Sequence, residues 1–383
     1  MVKRFEINGL FGKIDHTIEF HNDLTVLTGL NGSGKTSILK LLWCLLSTNK
    51  GIPLTEMSFQ RACVETDKYR LEVIPDYENV KTGPRAAKYT LSLTGGSLDP
   101  LSYDILYDSE TVLSNGSKKL DILNDNVSEL EQPTIYFPTF RRIEGGFETA
   151  DDYHIRRRRI SGMTDLTYAI DSFSSGLSSL HHTFISSIGT NDIARMLLSV
   201  NNGINSGTNQ LYLRFSRYIE RKLSDRSDNN GDKSAVNALN DIERKLEELK
   251  AECDKMRRPL DELSYLVRDT FKDGGVVIGE DLILGDNSNA VKANTLSAGE
   301  KQMLSFLTYN AFSHDTIVII DEPELNLHVD WQRILFQKLL EQQTTNQFII
   351  ATHSPFIYTR YPENEYFLNA NRGYMSWSQG QIM

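Results

Sequence analysis

Residues 29–36 form the feature that most constrains the fold of this chain. Their sequence, Gly-Leu-Asn-Gly-Ser-Gly-Lys-Thr, matches the phosphate-loop pattern G-x-x-x-x-G-K-[ST] at every fixed position. The β-compatible residues 24–28 precede it, and apolar residues at helical spacing follow over residues 37–46. A strand that enters such a loop and a helix that leaves it predict an α/β sheet with phosphate groups bound at its edge.

The residue types of this phosphate loop (residues 29–36) have physical reasons. Glycines let backbone N–H groups point inward around a phosphate, and the following helix adds its N-terminal dipole. Lys35 can bridge the β and γ oxygens of a nucleotide, and Thr36 can offer its hydroxyl to Mg²⁺. The predicted phosphate-binding residues are Asn31, Gly32, Ser33, Gly34, Lys35, Thr36 and Ser37.

A second element places two carboxylates after a buried strand. Residues 317–320, Ile-Val-Ile-Ile, are typical of a buried parallel strand, and Asp321 and Glu322 follow it. Because ligands bind at the carboxyl ends of strands in open α/β sheets, we expect both acids near the phosphate loop. Asp321 suits Mg²⁺, and Glu322 is free to deprotonate an attacking water. Taken alone, the two acids could also cap the next helix.

Two further segments are candidates for contacts with a phosphate. Ser297, Ala298, Gly299 and Glu300 lie at a predicted helix start, where a hydroxyl and backbone N–H groups could bind an anion. In isolation, a plain N-cap is the simpler interpretation of that segment. His353 follows another buried-type strand and suits a sensor of the γ-phosphate, although a lone histidine is more often structural.

The order of these motifs resembles that of the ABC-type ATPases of the RecF/OLD/SMC-like branch (AAA-15/AAA-21 type). Members of this branch occur in bacterial anti-phage defence systems such as PARIS, Septu and the retron-associated ATPases. The stretch Leu-Ser-Ala-Gly-Glu-Lys-Gln (residues 296–302, the signature segment) separates it from plain phosphate-loop enzymes. Residues 321–328, Asp-Glu-Pro-Glu-Leu-Asn-Leu-His, and the Tyr-x-Pro-x-x-Arg stretch within residues 135–146 are similar to this branch rather than to transporter subunits.

The resemblance implies that ATP and Mg²⁺ bind between two copies of the chain. It makes Lys35 and Glu322 catalytic, with Glu322 as general base and His353 as the switch, and it assigns Thr36 and Asp321 to Mg²⁺. Ser297 and Gly299 would reach the γ-phosphate of the other copy. The glutamine of the family's Q-loop stays open between Gln60 and Gln132.

The predicted fold class is α/β, an ABC-ATPase head with a mixed β-sheet core, an antiparallel β subdomain and a mostly helical insert. The predicted units are residues 1–149 (phosphate loop and antiparallel region), 150–275 (insert with a short helical hairpin) and 276–383 (signature segment, acidic strand and switch histidine). Alternating residues over about 60–108 predict the antiparallel strands, and residues 235–271 show the clearest helical pattern.

Composition narrows the class of protein. The hydrophobic content of 39% and charged content of 24% suit a soluble protein, and no signal-peptide pattern opens the chain, so we expect a cytoplasmic location. The net charge of −10 argues against a coating of nucleic acid but leaves room for a local basic patch. Such a patch, which could contact DNA, an acidic partner or only solvent, is formed by Arg141, Arg142, Arg156, Arg157, Arg158 and Arg159.

The motifs predict ATP binding and hydrolysis, and the family resemblance implies an ATPase that forms a homodimer around nucleotide and regulates a separately encoded effector, a nuclease or toxin, in anti-phage defence. The alternative is a RecF-like DNA-binding clamp in DNA repair. A scaffold that binds ATP without hydrolysis is less favoured, because every catalytic position is filled.

Overall fold

The structure of the protein is a computed structural model. It describes residues 1–47, 49, 57–76, 87–95, 98–107, 130, 132–143, 174–179, 181–188, 190–224, 232–271 and 296–368. Within these ranges the chain forms two six-stranded sheets, one two-stranded pair and the helices given below.

The first sheet is antiparallel and is formed almost wholly by consecutive strands. Its strands are β1 (Val2–Leu10), β2 (Ile14–Glu19), β4 (Arg61–Thr66), β5 (Arg70–Asp76), β6 (Ala87–Gly95) and β7 (Leu98–Tyr107). They lie in the order β2-β1-β4-β5-β6-β7. The antiparallel region predicted from residues 60–108 is therefore confirmed.

The second sheet joins strands from distant parts of the chain, and all of its neighbouring strands are parallel. Its strands are β3 (Leu24–Gly29), β8 (Thr134–Phe137), β10 (His182–Phe184), β12 (Ile317–Asp321), β13 (Gln347–Ala351) and β14 (Glu365–Leu368). They lie in the order β10-β8-β12-β13-β3-β14. Beside this sheet, β9 (Arg142–Ile143) and β11 (Ser187–Ile188) form a separate parallel pair.

The helices surround this parallel sheet. They are α1 (Lys35–Leu46), α2 (Thr190–Ser224), α3 (Asp232–Thr270), α4 (Ala298–Ala311), α5 (Val329–Glu341) and the short α6 (Pro355–Tyr358), followed by a 3₁₀ turn (Pro362–Asn364). Helices α2 and α3 pack together as a hairpin, and Lys222 and Asp241 form an ion pair of 3.0 Å between them. The long helix predicted from residues 235–271 is confirmed as α3.

The core has two parts, one on each face of the parallel sheet. Ile317 and Ile319 of β12 pack with α1 and the antiparallel sheet, whereas Val318 and Ile320 pack with helices on the other side. Both faces of the strand are buried, which explains its continuous β-branched sequence. Helix α1 therefore lies between the two sheets, with Trp43 stacked on Tyr136.

The α/β fold class is confirmed, with one refinement. The parallel and antiparallel strands form separate sheets among the described residues, and only the parallel sheet carries the phosphate loop. The predicted boundaries at 149/150 and 275/276 fall outside the described residues and stay a prediction. No described helix combines the length and apolar character that a bilayer crossing requires.

Candidate active site

The phosphate loop leaves the end of β3 in a conformation that two glycines permit. Gly29 has φ 147°, and a Cβ there would lie 2.6 Å from the carbonyl oxygen of Leu368 in β14. Gly34 has φ 96°, and its Cβ would lie 2.9 Å from Cδ1 of Ile14. A side chain at position 29 would clash with the backbone of β14, and the positive φ of Gly34 disfavours any other residue, so glycine at both positions lets the loop turn into α1.

Lys35 is folded back onto the phosphate loop. Its Nζ donates to the carbonyl oxygens of Gly29 at 2.9 Å and Leu30 at 3.1 Å, and it lies 3.4 Å from Oγ of Ser33. Burial lowers the pKa of Lys35, while the nearby carboxylates of Glu322 and Asp321 act in the opposite direction. These partners are neutral oxygens, so the ammonium group can exchange them for a charged phosphate oxygen and gain a stronger bond.

A cavity of about 610 Å³ opens beside the loop. It brings together loop residues, Glu322 from β12 and His353 from the segment after β13, as the sequence predicted for neighbouring strand ends. The turn between β1 and β2 also contributes, and no sequence pattern pointed to it. The lining residues are Phe11, Ile14, Asn31, Gly32, Gly34, Lys35, Thr36, Ser37, Glu322 and His353.

Asp321 ends β12 as a fully buried carboxylate. The hydroxyl of Thr139 donates to its Oδ2, and its Oδ1 is buried without a hydrogen-bond partner among the described residues. Burial raises the pKa of Asp321, while the hydroxyls of Thr139 and Thr36 and the charge of Arg141 act to lower it. A buried carboxylate oxygen without a hydrogen bond of its own suits a cation.

Glu322 occupies a strained backbone position beside the cavity. Its φ is 50°, in the left-handed region that non-glycine residues seldom adopt, and its N–H donates to the carbonyl oxygen of Ala351 in β13 at 2.8 Å. Burial raises the pKa of Glu322, and the carboxylates of Asp321 and Glu324 raise it further, against the effect of His353 and Lys35. A carboxylate with a raised pKa is a stronger base than an ordinary glutamate.

Glu324 holds the end of the neighbouring strand. Its Oε2 accepts a hydrogen bond from the Thr352 hydroxyl at 2.8 Å, and its Oε1 accepts one from the N–H of His353 at 2.7 Å. His353 itself is exposed and lines the cavity. Glu324 of the Glu-x-x-Leu-His stretch therefore fixes the backbone at His353, a role that could not be assigned from the sequence.

The prediction that Arg141 belongs to a basic surface patch, which could have contacted DNA, an acidic partner or only solvent, is wrong. Its side chain is buried, and its guanidinium donates to the carbonyl oxygens of Pro138 at 2.8 Å, Asp321 at 2.8 Å and Glu322 at 2.9 Å. A guanidinium that is buried and bonded to three backbone carbonyl oxygens cannot contact a nucleic acid. The side chain of Arg142 and the whole of Arg156, Arg157, Arg158 and Arg159 lie outside the described residues.

Neither Q-loop candidate lines the cavity. The side chain of Gln132 accepts a hydrogen bond from the amino group of Met1. The side chain of Gln60 packs against Gly9, where a Cβ would meet it at 2.6 Å. The identity of the Q-loop glutamine therefore stays open.

The signature segment begins α4 with a reciprocal cap. The N–H of Glu300 donates to Oγ of Ser297 at 3.3 Å, and the N–H of Ser297 donates to Oε2 of Glu300 at 2.6 Å. A Cβ on Gly299 would lie 2.5 Å from the carbonyl oxygen of Asn326, so the helix start lies directly on the turn after β12. The N-cap interpretation thus describes the local structure, and Ser297, Ala298, Gly299 and Glu300 do not line the phosphate-loop cavity.

Comparisons with known proteins identify the family of this chain. A family model described as an AAA ATPase domain, AAA_15, matches residues 1–358. The chain is 32% identical over 92 residues to the retron Vc95 probable ATPase of Vibrio cholerae serotype O1 biovar El Tor. The matched segment covers 21% of this chain and 18% of that protein. It is also 42% identical over 67 residues to endonuclease GajA of Bacillus cereus (strain VD045). That matched segment covers 16% of this chain and 12% of GajA.

The matched segments thus span less than a fifth of each of these curated relatives. Among solved structures, the chain is similar to an Smc head bound to the C-terminal winged-helix domain of ScpA. The TM-score is 0.40 and the identity 14%, over 94% of this chain and 91% of that chain.

Proposed function

Because the chain belongs to the AAA_15 family of AAA ATPase domains, we propose that its phosphate-loop cavity binds ATP and hydrolyses it to ADP and phosphate. The observation that carries this proposal is that Lys35 of the loop and Glu322 after β12 line the same cavity. One supplies a cation for the phosphates and the other a base for water, which are the two groups that hydrolysis requires.

Different residues of the cavity have different roles in this proposed reaction. The backbone N–H groups of the loop and the ammonium group of Lys35 hold the phosphates and stabilise the charge that develops on them. The carboxylate of Glu322 orients water and accepts its proton. His353 lies in the same cavity and is proposed to contact the γ-phosphate, and Glu324 fixes its backbone.

The residues present fit Mg²⁺ as the partner of ATP. The unpaired Oδ1 of Asp321 and the hydroxyl of Thr36 are oxygen donors, which Mg²⁺ prefers. Among the described residues no group of three His, Cys, Asp or Glu side chains could hold a metal alone, so we expect the ion to arrive with the nucleotide. When bound, it would neutralise the charge on the β and γ phosphates.

We expect Asp321→Asn to raise the Mg²⁺ concentration that gives half-maximal turnover by about 10-fold or more. The substitution keeps the size of the side chain and removes the charge that attracts the ion. Turnover measured over a Mg²⁺ titration checks this expectation. Asp315→Asn, an exposed residue before the opposite end of β12, is the matched control, and an unchanged Mg²⁺ requirement in Asp321→Asn would contradict the assignment.

We further propose that the site is completed by the signature segment of a second copy. The support is that this segment presents a capped helix start with an exposed Ser297 and does not line the cavity of its own chain. A capped helix N-terminus favours an anion, and the γ-phosphate held by another copy is the anion that the family resemblance implies.

Mixing two inactive variants tests this dimer. Ser297→Asp keeps an N-cap but repels phosphate, whereas Ser297→Asn keeps the cap without the charge and is expected to stay active. Co-expression of Lys35→Ala with Ser297→Asp should restore about a quarter of wild-type turnover, because half of the dimers are mixed and each holds one intact site. No recovery in mixed chains that co-purify would show that one chain supplies the whole site.

The proposed biological role is ATP-dependent control of a separately encoded effector in anti-phage defence, in the cytoplasm. The support is the similarity to a retron probable ATPase and to an endonuclease. Plating phage on cells that carry the gene with its chromosomal neighbours tests it, with the Glu322→Gln gene as control; equal plaque counts with and without the intact set would contradict it. The burial of Arg141 removes one member of the basic cluster on which the DNA-clamp alternative depends.

A further inference from the structure

Arg141 stands where three parts of the site meet. It follows β8, its guanidinium contacts the carbonyl oxygens of the turn after β12, and it lies 5.6 Å from the centre of the Phe306 ring in α4. The signature segment begins that same helix. Arg141 therefore links the proposed base to the signature helix within one chain.

The two carbonyl groups that Arg141 binds are those on either side of Glu322. The carbonyl oxygen of Asp321 belongs to the peptide plane before the Cα of Glu322, and the carbonyl oxygen of Glu322 belongs to the plane after it. The N–H of the first plane, which belongs to Glu322, donates to the carbonyl oxygen of Ala351. Beyond the second plane, Nε2 of Gln302 in α4 donates to the carbonyl oxygen of Pro323 at 2.8 Å. Both backbone torsions of Glu322 are thereby restrained at a φ of 50°.

We propose that Arg141 is a positioning residue for the general base, which holds the backbone of Glu322 in its left-handed conformation so that the carboxylate faces the phosphate-loop cavity. This inference rests on the proposed ATPase function. A left-handed conformation at a non-glycine residue costs free energy and persists only where its surroundings enforce it. Without these bonds, the peptide planes on either side of Glu322 relax. The carboxylate then no longer faces the water that attacks the phosphate.

The surroundings of Arg141 explain why another cation cannot replace it. Burial lowers its pKa to about 10, and the carboxylates of Asp321, Glu324 and Glu322 oppose that effect, so the group stays charged at neutral pH. The planar guanidinium reaches three carbonyl oxygens at once and lies over an aromatic ring. A lysine ammonium is a point charge that cannot reproduce this planar arrangement.

Arg141→Lys should lower the kcat for ATP hydrolysis by about 10²-fold, because a displacement of a reacting group by about 1 Å has that effect. The dissociation constant for ATP should stay within about threefold, since Arg141 does not line the cavity. Arg61→Lys is the matched control. Its guanidinium bonds Glu6 and Glu72 at 2.6 and 2.5 Å in the antiparallel sheet, and we expect its kcat to be unchanged.

A double-mutant cycle with Glu322→Gln separates positioning from a general loss of structure. If Arg141 acts through Glu322, adding Arg141→Lys to Glu322→Gln should slow single-turnover hydrolysis by less than about threefold further. A further loss of about 10²-fold in the double variant, or an unchanged kcat in Arg141→Lys alone, would overturn the proposal. Undiminished turnover in Glu322→Gln alone would instead overturn the proposed ATPase mechanism.

A second variant keeps the proposal testable if Arg141→Lys does not fold. Arg141→Gln removes the buried charge and keeps one donor group for the carbonyl oxygens. It should show the same fall in kcat with ATP affinity preserved. A weaker ATP affinity with an unchanged kcat would contradict a positioning role.

Discussion

Glu322→Gln should bind ATP as the wild-type protein does and hydrolyse it about 10²- to 10⁴-fold more slowly, the range usual for loss of a general base. The amide has the size of the carboxylate but cannot accept the proton of the attacking water. Glu322 lies beside Lys35 in the cavity, so loss of its negative charge should not weaken the attraction for phosphate. Equilibrium binding of ATP and single-turnover hydrolysis, measured on the same preparation, check the two halves of this expectation.

The pH dependence of turnover gives an independent check. Burial and two neighbouring carboxylates raise the pKa of Glu322, so the base form is lost at a higher pH than for an ordinary glutamate. Turnover should therefore fall as the solution is acidified through this raised pKa, and the fall should disappear in Glu322→Gln. Glu363→Gln, an exposed residue of the 3₁₀ turn, is the control. Turnover of Glu322→Gln within about twofold of the wild type would contradict the assignment.

Lys35→Ala should lower the affinity for ATP by about 10²-fold or more and abolish measurable hydrolysis. Loss of one partner of a desolvated charge pair costs about 2–5 kcal/mol, which corresponds to that change in affinity. The lysine is buried among the neutral oxygens of its own loop, and among the described residues it is the only lysine or arginine that lines the cavity. Titration of the protein with ATP, followed by calorimetry, measures the loss.

Lys40→Ala provides the comparison for this variant. Lys40 lies on the same helix, α1, but does not line the cavity, so its removal should leave the ATP affinity within about twofold. If Lys35→Ala bound ATP as tightly as Lys40→Ala, the loop could not be the phosphate-binding element.

The parts of the site that could be predicted from the sequence are those encoded in short segments. The phosphate loop, the strand before Asp321 and the strand before His353 each combine a local pattern with a polar terminus, and parallel strands bring such termini together. Thr139, Arg141 and Glu324 act through partners far away in the chain. Their roles depend on which strands are neighbours, and no local pattern contains that information.

The error at Arg141 has the same origin. A run of arginines in a sequence shows charge but not the direction in which each side chain points. Arg141 is turned inward because β8 lies next to β12 in the sheet, where the carbonyl groups of Asp321 and Glu322 face it. Similarly, the sequence pattern distinguished buried from alternating strands, but it could not show that the two kinds form separate sheets.

The position of β3 has a consequence for how the protein is made. The strand that leads into the phosphate loop lies between β13 and β14, with Leu27 opposite Ala351 and Gly29 against the carbonyl oxygen of Leu368. During translation, the loop therefore leaves the ribosome long before the strands that flank it. A growing chain cannot form the complete edge of this sheet until residue 368 has emerged. On the proposed function, we therefore expect nucleotide to bind only after residue 368 has been synthesised.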